Sequence, residues 1–149
     1  VVAKLLNQCR PDFACFGEKD YQQLLVVKRL VRDLHIGVEI VAVPTVRAAD
    51  GLALSSRNSY LTDTQRLIAP ALYRTLSETA ARLADGAGIA GEIDRATAAL
   101  LDAGFDSVDY VALCDAETLE PLTEFARPAR LLAAVHLGPA RLIDNLAVG

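Results

Sequence analysis

The sequence predicts an α/β chain in two parts, a βαβ unit with a parallel sheet followed by a small α+β domain with a short antiparallel sheet. Three observations carry that expectation. Asp12-Phe13-Ala14-Cys15-Phe16 is a short apolar run that turns through Gly17 into the helical period of Leu24, Leu25, Val27, Leu30, Val31 and Leu34. Val38 to Val43 is a β-branched run bounded by Gly37 and Pro44, a second strand at βαβ spacing. Beyond Leu61 the pattern changes to helices and then three strand candidates. The expected boundary divides residues 1–60 from 61–149.

Taken in order, the apolar residues at positions 1, 2, 5, 6 and 9 suit the end of a helix. Arg10-Pro11 breaks it, because proline disfavours helical backbone at the residue before it. The first strand, the turn and the long helix follow, and Gly37 is the expected left-handed terminator after His35. A parallel βαβ pair delivers both following loops to one sheet edge, so the Gly17 turn and the segment 45–58 are expected to converge there. Thr62-Asp63-Thr64-Gln65 has the form of a capping box opening a helix to about Leu83, which Pro70 kinks or divides. Asp85 to Gly88 is a link, a helix runs from about Ala90 to Asp102, and Gly104 ends it. Ser107–Cys114, Leu131–Leu137 and the stretch from Arg141 to about Asp144 are strands, the last two joined by a tight hairpin at Gly138-Pro139.

Composition excludes several function classes. The 149 residues are 52% hydrophobic and 23% charged, as in a globular protein with a core, and net charge is −4 with no basic run. Aromatic content of 5% leaves little for base stacking, so no nucleic-acid partner is expected. Cys9, Cys15 and Cys114 are an odd set without metal or disulfide spacing, read as buried free thiols in a reducing cytoplasm. His35 and His136 are too few and too separated for a metal cluster. No apolar run approaches membrane-span length, so no membrane partner is expected. The sequence holds no methionine and opens within a helical pattern, so it is expected to be the C-terminal portion of a larger protein.

The chemistry is concentrated in two segments. A glycine turn into a helix start, Gly17-Glu18-Lys19-Asp20, suits a phosphate-bearing ligand, with Lys19 and backbone N–H groups facing the anion. Ordinary helix-end charge is the plainer reading, and Glu18 by itself is a solvated acid. Gln23 shares the face of Asp20 and could hold a substrate hydroxyl or carboxylate; a surface glutamine is the alternative. Ser55-Ser56-Arg57, in the loop Asp50-Gly51-Leu52-Ala53-Leu54-Ser55-Ser56-Arg57-Asn58, offers two hydroxyls and a guanidinium to a triphosphate, or simply a turn and a helix cap. Arg47 and Asp50 read as an ion pair shaping that loop. The acids of the C-terminal part read as solvated charges.

Together these stretches are more specific. Arg10-Pro11-Asp12, Phe16 to Leu24, Val43-Pro44-Thr45-Val46-Arg47, Asp50 to Asn58, Tyr60-Leu61 and Arg141-Leu142-Ile143-Asp144-Asn145 resemble the pantoate–β-alanine ligase (pantothenate synthetase) family over essentially the whole chain. The resemblance implies a Rossmann-like domain of the class I aminoacyl-tRNA synthetase type, here its C-terminal part, with a small domain covering the site. It implies ATP with Mg2+, pantoate and β-alanine as substrates, a pantoyl-adenylate intermediate, and a homodimer. Gly17, Glu18, Lys19, Asp20, Val46, Leu54, Ser55, Ser56 and Arg57 would bind ATP, and Gln23 would hold pantoate. Ser55-Ser56-Arg57 would stand in the place of the synthetase lysine-serine loop. Magnesium would be held mainly by the phosphates, with no protein metal site.

Two departures qualify the match. The family's His-x-Gly-His motif and the glutamine that contacts both substrates are absent from these 149 residues, so no catalytic residue is assigned and the chain alone is expected to be inactive. Ala48 stands where a glutamate is often found. Two other readings remain open: a non-catalytic partner or oligomerisation module, and a nucleotidyltransferase that makes a dinucleotide.

Overall fold

The computed structural model describes residues 1–125 and 128–149. Contacts divide the chain into two units, Val1–Thr45 and Val46–Gly149. The expected boundary at 60/61 therefore falls inside the second unit.

In the first unit, α1 (Val2–Cys9) ends where Arg10 turns left-handed at φ 44° and its N–H reaches the Leu6 carbonyl at 2.9 Å. β1 (Phe13–Gly17) leads through a single 3-10 turn, Glu18–Asp20, into α2 (Tyr21–Asp33). The left-handed residue after α2 is His35, at φ 52°, and not Gly37. The chain turns back earlier than glycine placement suggested, because the His35 N–H already closes on the Arg32 carbonyl. β2 (Glu39–Val43) pairs parallel with β1, Phe13 opposite Glu39 and Gly17 opposite Val43. The carboxyl ends of both strands thus lie at one edge, as a βαβ unit requires.

The second unit opens with a small hairpin. An isolated antiparallel bridge joins Arg47 to Ala53, and a 3-10 helix follows over Ser56–Tyr60. The capping box is complete: Thr62 Oγ1 accepts from the Gln65 N–H, and Gln65 Oε1 accepts from the Thr62 N–H. It starts only a short α3 (Asp63–Ile68), because Pro70 divides the expected long helix and stands at the N-cap of α4 (Ala71–Ala84). After α5 (Ile89–Asp102) come β3 (Ser107–Asp115), β4 (Ala129–Leu137) and β5 (Ala140–Val148), antiparallel in the order β3-β4-β5. Leu137 pairs with Ala140 across Gly138-Pro139. Gly138 takes φ 57°, as the first central residue of a primed hairpin turn needs.

The core lies between this sheet and α4–α5. Leu76, Leu83, Leu100, Leu131, Val135 and Leu137 are among its fully buried members. On β3 the expected two-residue alternation is interrupted by a bulge between Val108 and Tyr110. Val108, Val111 and Leu113 consequently all pack on the core, a spacing that an unbroken strand forbids. Several acids read as solvated are buried instead, since each has a local or distant donor. Glu92 accepts from Arg82 Nε at 2.5 Å, and Asp115 Oδ1 accepts from the N–H groups of Glu117 and Thr118. The cysteines are free thiols, but Cys9 and Cys15 are exposed; only Cys114 is buried, and burial raises its pKa. No described helix is long and apolar enough to cross a membrane.

Candidate functional site

In the first unit the turn after β1 places Gly17, Glu18, Lys19 and Asp20 at the carboxyl edge of the sheet, with Gln23 exposed in the first turn of α2. Gly17 has ordinary extended backbone, φ −70° and ψ 134°, and a Cβ added there would meet nothing within 4 Å. Neither dihedral strain nor crowding within the chain calls for glycine at this position. Asp20 occupies the N-cap of α2 yet makes no side-chain capping bond, so the plain helix-cap role is not the one its carboxylate performs.

In the second unit the pairing beside the Arg47–Ala53 bridge sets which side chains face out, although Leu52, of the same parity as Leu54, is buried. The Leu54 N–H bonds the Val46 carbonyl at 2.9 Å, and the Ala48 N–H bonds the Leu52 carbonyl at 2.8 Å. Val46 and Leu54 therefore sit opposite one another on one face, 63% and 54% exposed, while Ala53 on the other face is 4% exposed. Two expected nucleotide contacts are thus brought together, and Ser55–Arg57 follows directly. Ser55 Oγ accepts from the Arg57 N–H at 3.2 Å, so this hydroxyl caps the 3-10 helix; Ser56 and Arg57 are exposed. Asn58 Nδ2 donates to the Ala53 carbonyl at 3.0 Å and closes the segment from behind.

The expected Arg47–Asp50 pair does not form. Arg47 donates twice to Asp144, from Nη1 at 2.6 Å and Nη2 at 2.9 Å, and again from Nη1 to the Gly51 carbonyl at 3.2 Å. Its guanidinium lies 3.8 Å from the centre of the Tyr73 ring. Asp50 pairs instead with Arg66 at 2.6 Å, and that hydrogen bond is the main cause of its lowered pKa. The reason is parity: Arg47 faces inward, while Asp50 sits on the exposed tip before Gly51. Gly51 takes φ 91°, and a Cβ there would lie 2.5 Å from Tyr73 Cδ1. Asp144 and Tyr73 are the residues that sequence reasoning missed. A signal for Asp144 existed, because it lies between Leu142 and Leu146 on the core-facing parity of β5, where a carboxylate demands a buried cation.

His136 lies in β4, where Nε2 is 3.1 Å from Asp109 Oδ1, and Arg141 Nε donates to Asp109 Oδ2 at 2.6 Å. This is a surface cluster on the sheet, and it shares no residue with the segments above. Among the described residues no group of three or more His, Cys, Asp or Glu side chains gathers as a metal cage.

Comparison with known proteins follows the same lines. The family model described as pantoate-beta-alanine ligase matches residues 1–147. A Sphingopyxis alaskensis protein named pantothenate synthetase is 58% identical over 149 residues, covering 100% of this chain and 53% of its own length. The Paramagnetospirillum magneticum protein of the same name is 56% identical over 148 residues, 99% of this chain and 52% of its own. The chain thus spans about half the length of the curated relatives it matches. The crystal structure of pantothenate synthetase from Thermus thermophilus superposes with TM-score 0.92 at 48% identity, covering 97% of this chain and 52% of that one. A Francisella tularensis pantoate-beta-alanine ligase, complexed with beta-gamma ATP and beta-alanine, superposes with TM-score 0.72 at 32% identity over 97% of this chain and 47% of that one. A match over nearly every residue, at these identities and with the same fold, means that the chain belongs to the pantoate-beta-alanine ligase family.

Proposed function

We propose that this chain is the C-terminal part of an ATP-dependent ligase that joins pantoate to β-alanine through a pantoyl adenylate. Family membership over residues 1–147 is the observation that carries the reading. Two local features support it: the sterically unneeded glycine at position 17, which leaves room for a ligand to approach the backbone, and the outward pairing of Val46 with Leu54. A relative solved with beta-gamma ATP and beta-alanine gives the same direction.

In the proposed reaction a pantoate carboxylate oxygen attacks the α-phosphorus of ATP, the bond to pyrophosphate breaks, and pantoyl adenylate forms. The β-alanine amine then attacks the acyl carbon, AMP leaves with the electron pair of the broken C–O bond, and the nitrogen gives up a proton. Gly17–Asp20 and Leu54–Arg57 are the ATP-binding segments in this reading. The Lys19 ammonium and the Arg57 guanidinium offset charge on the phosphates, and the Ser56 hydroxyl donates to them. Val46 and Leu54 cover the base, and Gln23 holds pantoate through its amide. Positioning and electrostatic stabilisation at phosphorus supply most of the catalysis. Mg2+ would neutralise phosphate charge while held mainly through the phosphates. In this reading residues 1–60 belong to the nucleotide-binding domain and 61–149 form the lid, in a cytoplasmic homodimer.

The chain's two histidines, His35 after α2 and His136 in β4, do not make a His-x-Gly-His motif. In this reading the isolated 149 residues are inactive, and the catalytic histidines lie elsewhere in the gene product. Pantoate-dependent ATP–pyrophosphate exchange, run on the intact gene product and on this chain side by side, tests both statements. Exchange by the intact protein alone is expected. Exchange by neither would sink the ligase reading and favour a non-catalytic module; exchange by the isolated chain would overturn the division of the site.

A further inference from the structure

Arg47 is bound far more firmly than a loop residue needs. Its side chain is 16% exposed and that of Asp144 only 2%, and the two are 97 residues apart in sequence. The paired N–H donors fix the guanidinium in plane as well as in position, because a fork meets a carboxylate in one geometry. The Tyr73 ring at 3.8 Å supports one face of that plane. Asp144 in turn is fixed, since β5 pairs it with Ala133 in the central strand of the sheet and its Oδ1 also accepts from the Asn145 N–H at 2.8 Å.

The consequence for the loop follows from backbone pairing. Arg47 is opposite Ala53, so holding the Arg47 side chain inward fixes the parity of the hairpin and sends Val46 and Leu54 outward. Asn58 then grips the Ala53 carbonyl from the downstream side. Leu54-Ser55-Ser56-Arg57 is thus bracketed at both ends, and the upstream bracket is tied to the C-terminal sheet through one ion pair.

We propose that Arg47 and Asp144, backed by Tyr73, are positioning residues for nucleotide binding: they hold Leu54–Arg57 in the geometry that accepts ATP. Neither touches the reacting atoms. The inference rests on the assignment of Leu54–Arg57 to ATP. It predicts an effect on ATP alone, because the pantoate contact assigned to Gln23 is made from α2.

The test is steady-state kinetics of the intact gene product carrying Asp144→Asn, with each substrate varied in turn. A loop that spends about a tenth of its time in the binding geometry raises the apparent KM for ATP about tenfold. The KM values for pantoate and β-alanine are expected to stay within about twofold, an increment too small to reflect a tenfold population shift. A merely structural role would behave differently, since unfolding removes active enzyme and lowers the apparent kcat without raising any KM. An unchanged KM for ATP, or a fall in kcat alone, therefore overturns the proposal. If Asp144→Asn does not fold, Arg47→Lys keeps the charge and loses the fork. It is expected to raise the KM for ATP by an intermediate factor, and no rise in that variant overturns the proposal as well. Failure of the underlying reading is distinguishable, because then the unsubstituted protein itself shows no pantoate-dependent exchange.

Discussion

Residues 1–45 and 46–149 differ in how completely each unit buries its own apolar surface. In the first, the buried apolar side chains are Leu6, Leu24 and Val27, and Phe13, Val26 and Leu34 are more than half exposed. β2 reads Glu39-Ile40-Val41-Ala42-Val43, the near-continuous apolar run of a parallel strand covered on both faces, yet Ile40, Val41 and Ala42 are only half-buried. In the second unit the three strands fold onto α4 and α5, and the cluster from Leu52 to Val148 is continuous. The lesson is that strand pattern and strand burial are separate properties. The same hydrophobic grammar gives a continuous core in the second unit, where α4 and α5 cover the sheet, and leaves β2 half-buried in a chain that spans about half the length of its relatives.

The largest expected effect comes from core truncation in each unit. Leu100, 0% exposed on α5, and Leu24, 1% exposed on α2, are equally buried by area. Leu100→Ala is expected to lower the stability of the second unit by about 3 kcal/mol in urea unfolding, because its surroundings cannot collapse into the space. Leu24→Ala should accelerate amide exchange in β1, α2 and β2 while the amides of β3, β4 and β5 keep their protection. Equal loss of protection everywhere in either variant would abolish the distinction between the units.

A smaller effect tests where the loop belongs. Gly51→Ala forces a left-handed alanine against the Tyr73 ring and is expected to cost about 2 kcal/mol, read as a lower thermal midpoint of the second unit. A midpoint equal to that of the parent would detach residues 46–60 from the 46–149 core and favour a boundary at 60/61.

The smallest effect concerns the exposed Asp50–Arg66 pair. The hydrogen bond from Arg66 holds the Asp50 pKa below its ordinary value of 3.8. A lowered folded-state pKa contributes stability that is present above the unfolded value and disappears as pH falls through the folded value. Asp50→Asn should therefore lower the thermal midpoint slightly and by the same amount at pH 7 and pH 5, with the difference shrinking at pH values below 3.8. A difference that grows on acidification would contradict the pairing.

The turn and the loop that carry the candidate site were legible because their signals are local. Gly17 between an apolar strand and a helix, and Ser55-Ser56-Arg57 after Asp50-Gly51, announce a turn and a loop from neighbouring residues alone. The residues that hold the loop were not legible in the same way. Arg47 and Asp50 are three positions apart with opposite charges, so proximity in sequence favoured pairing them. The hairpin instead turns one inward and the other outward, and each finds a partner elsewhere.

The sequence by itself determined the order and type of the elements, the capping box at Thr62–Gln65, the Gly138-Pro139 hairpin and the family to which the chain belongs. These depend on hydrophobic period, turn chemistry and motif, all of which act over a few residues. Tertiary structure decided which face of β3 the bulge at Asp109 sent inward and which carboxylate met Arg47. Both choices depend on packing between segments distant in sequence, where burial removes water as a competing partner and a buried charge must find its counter-charge.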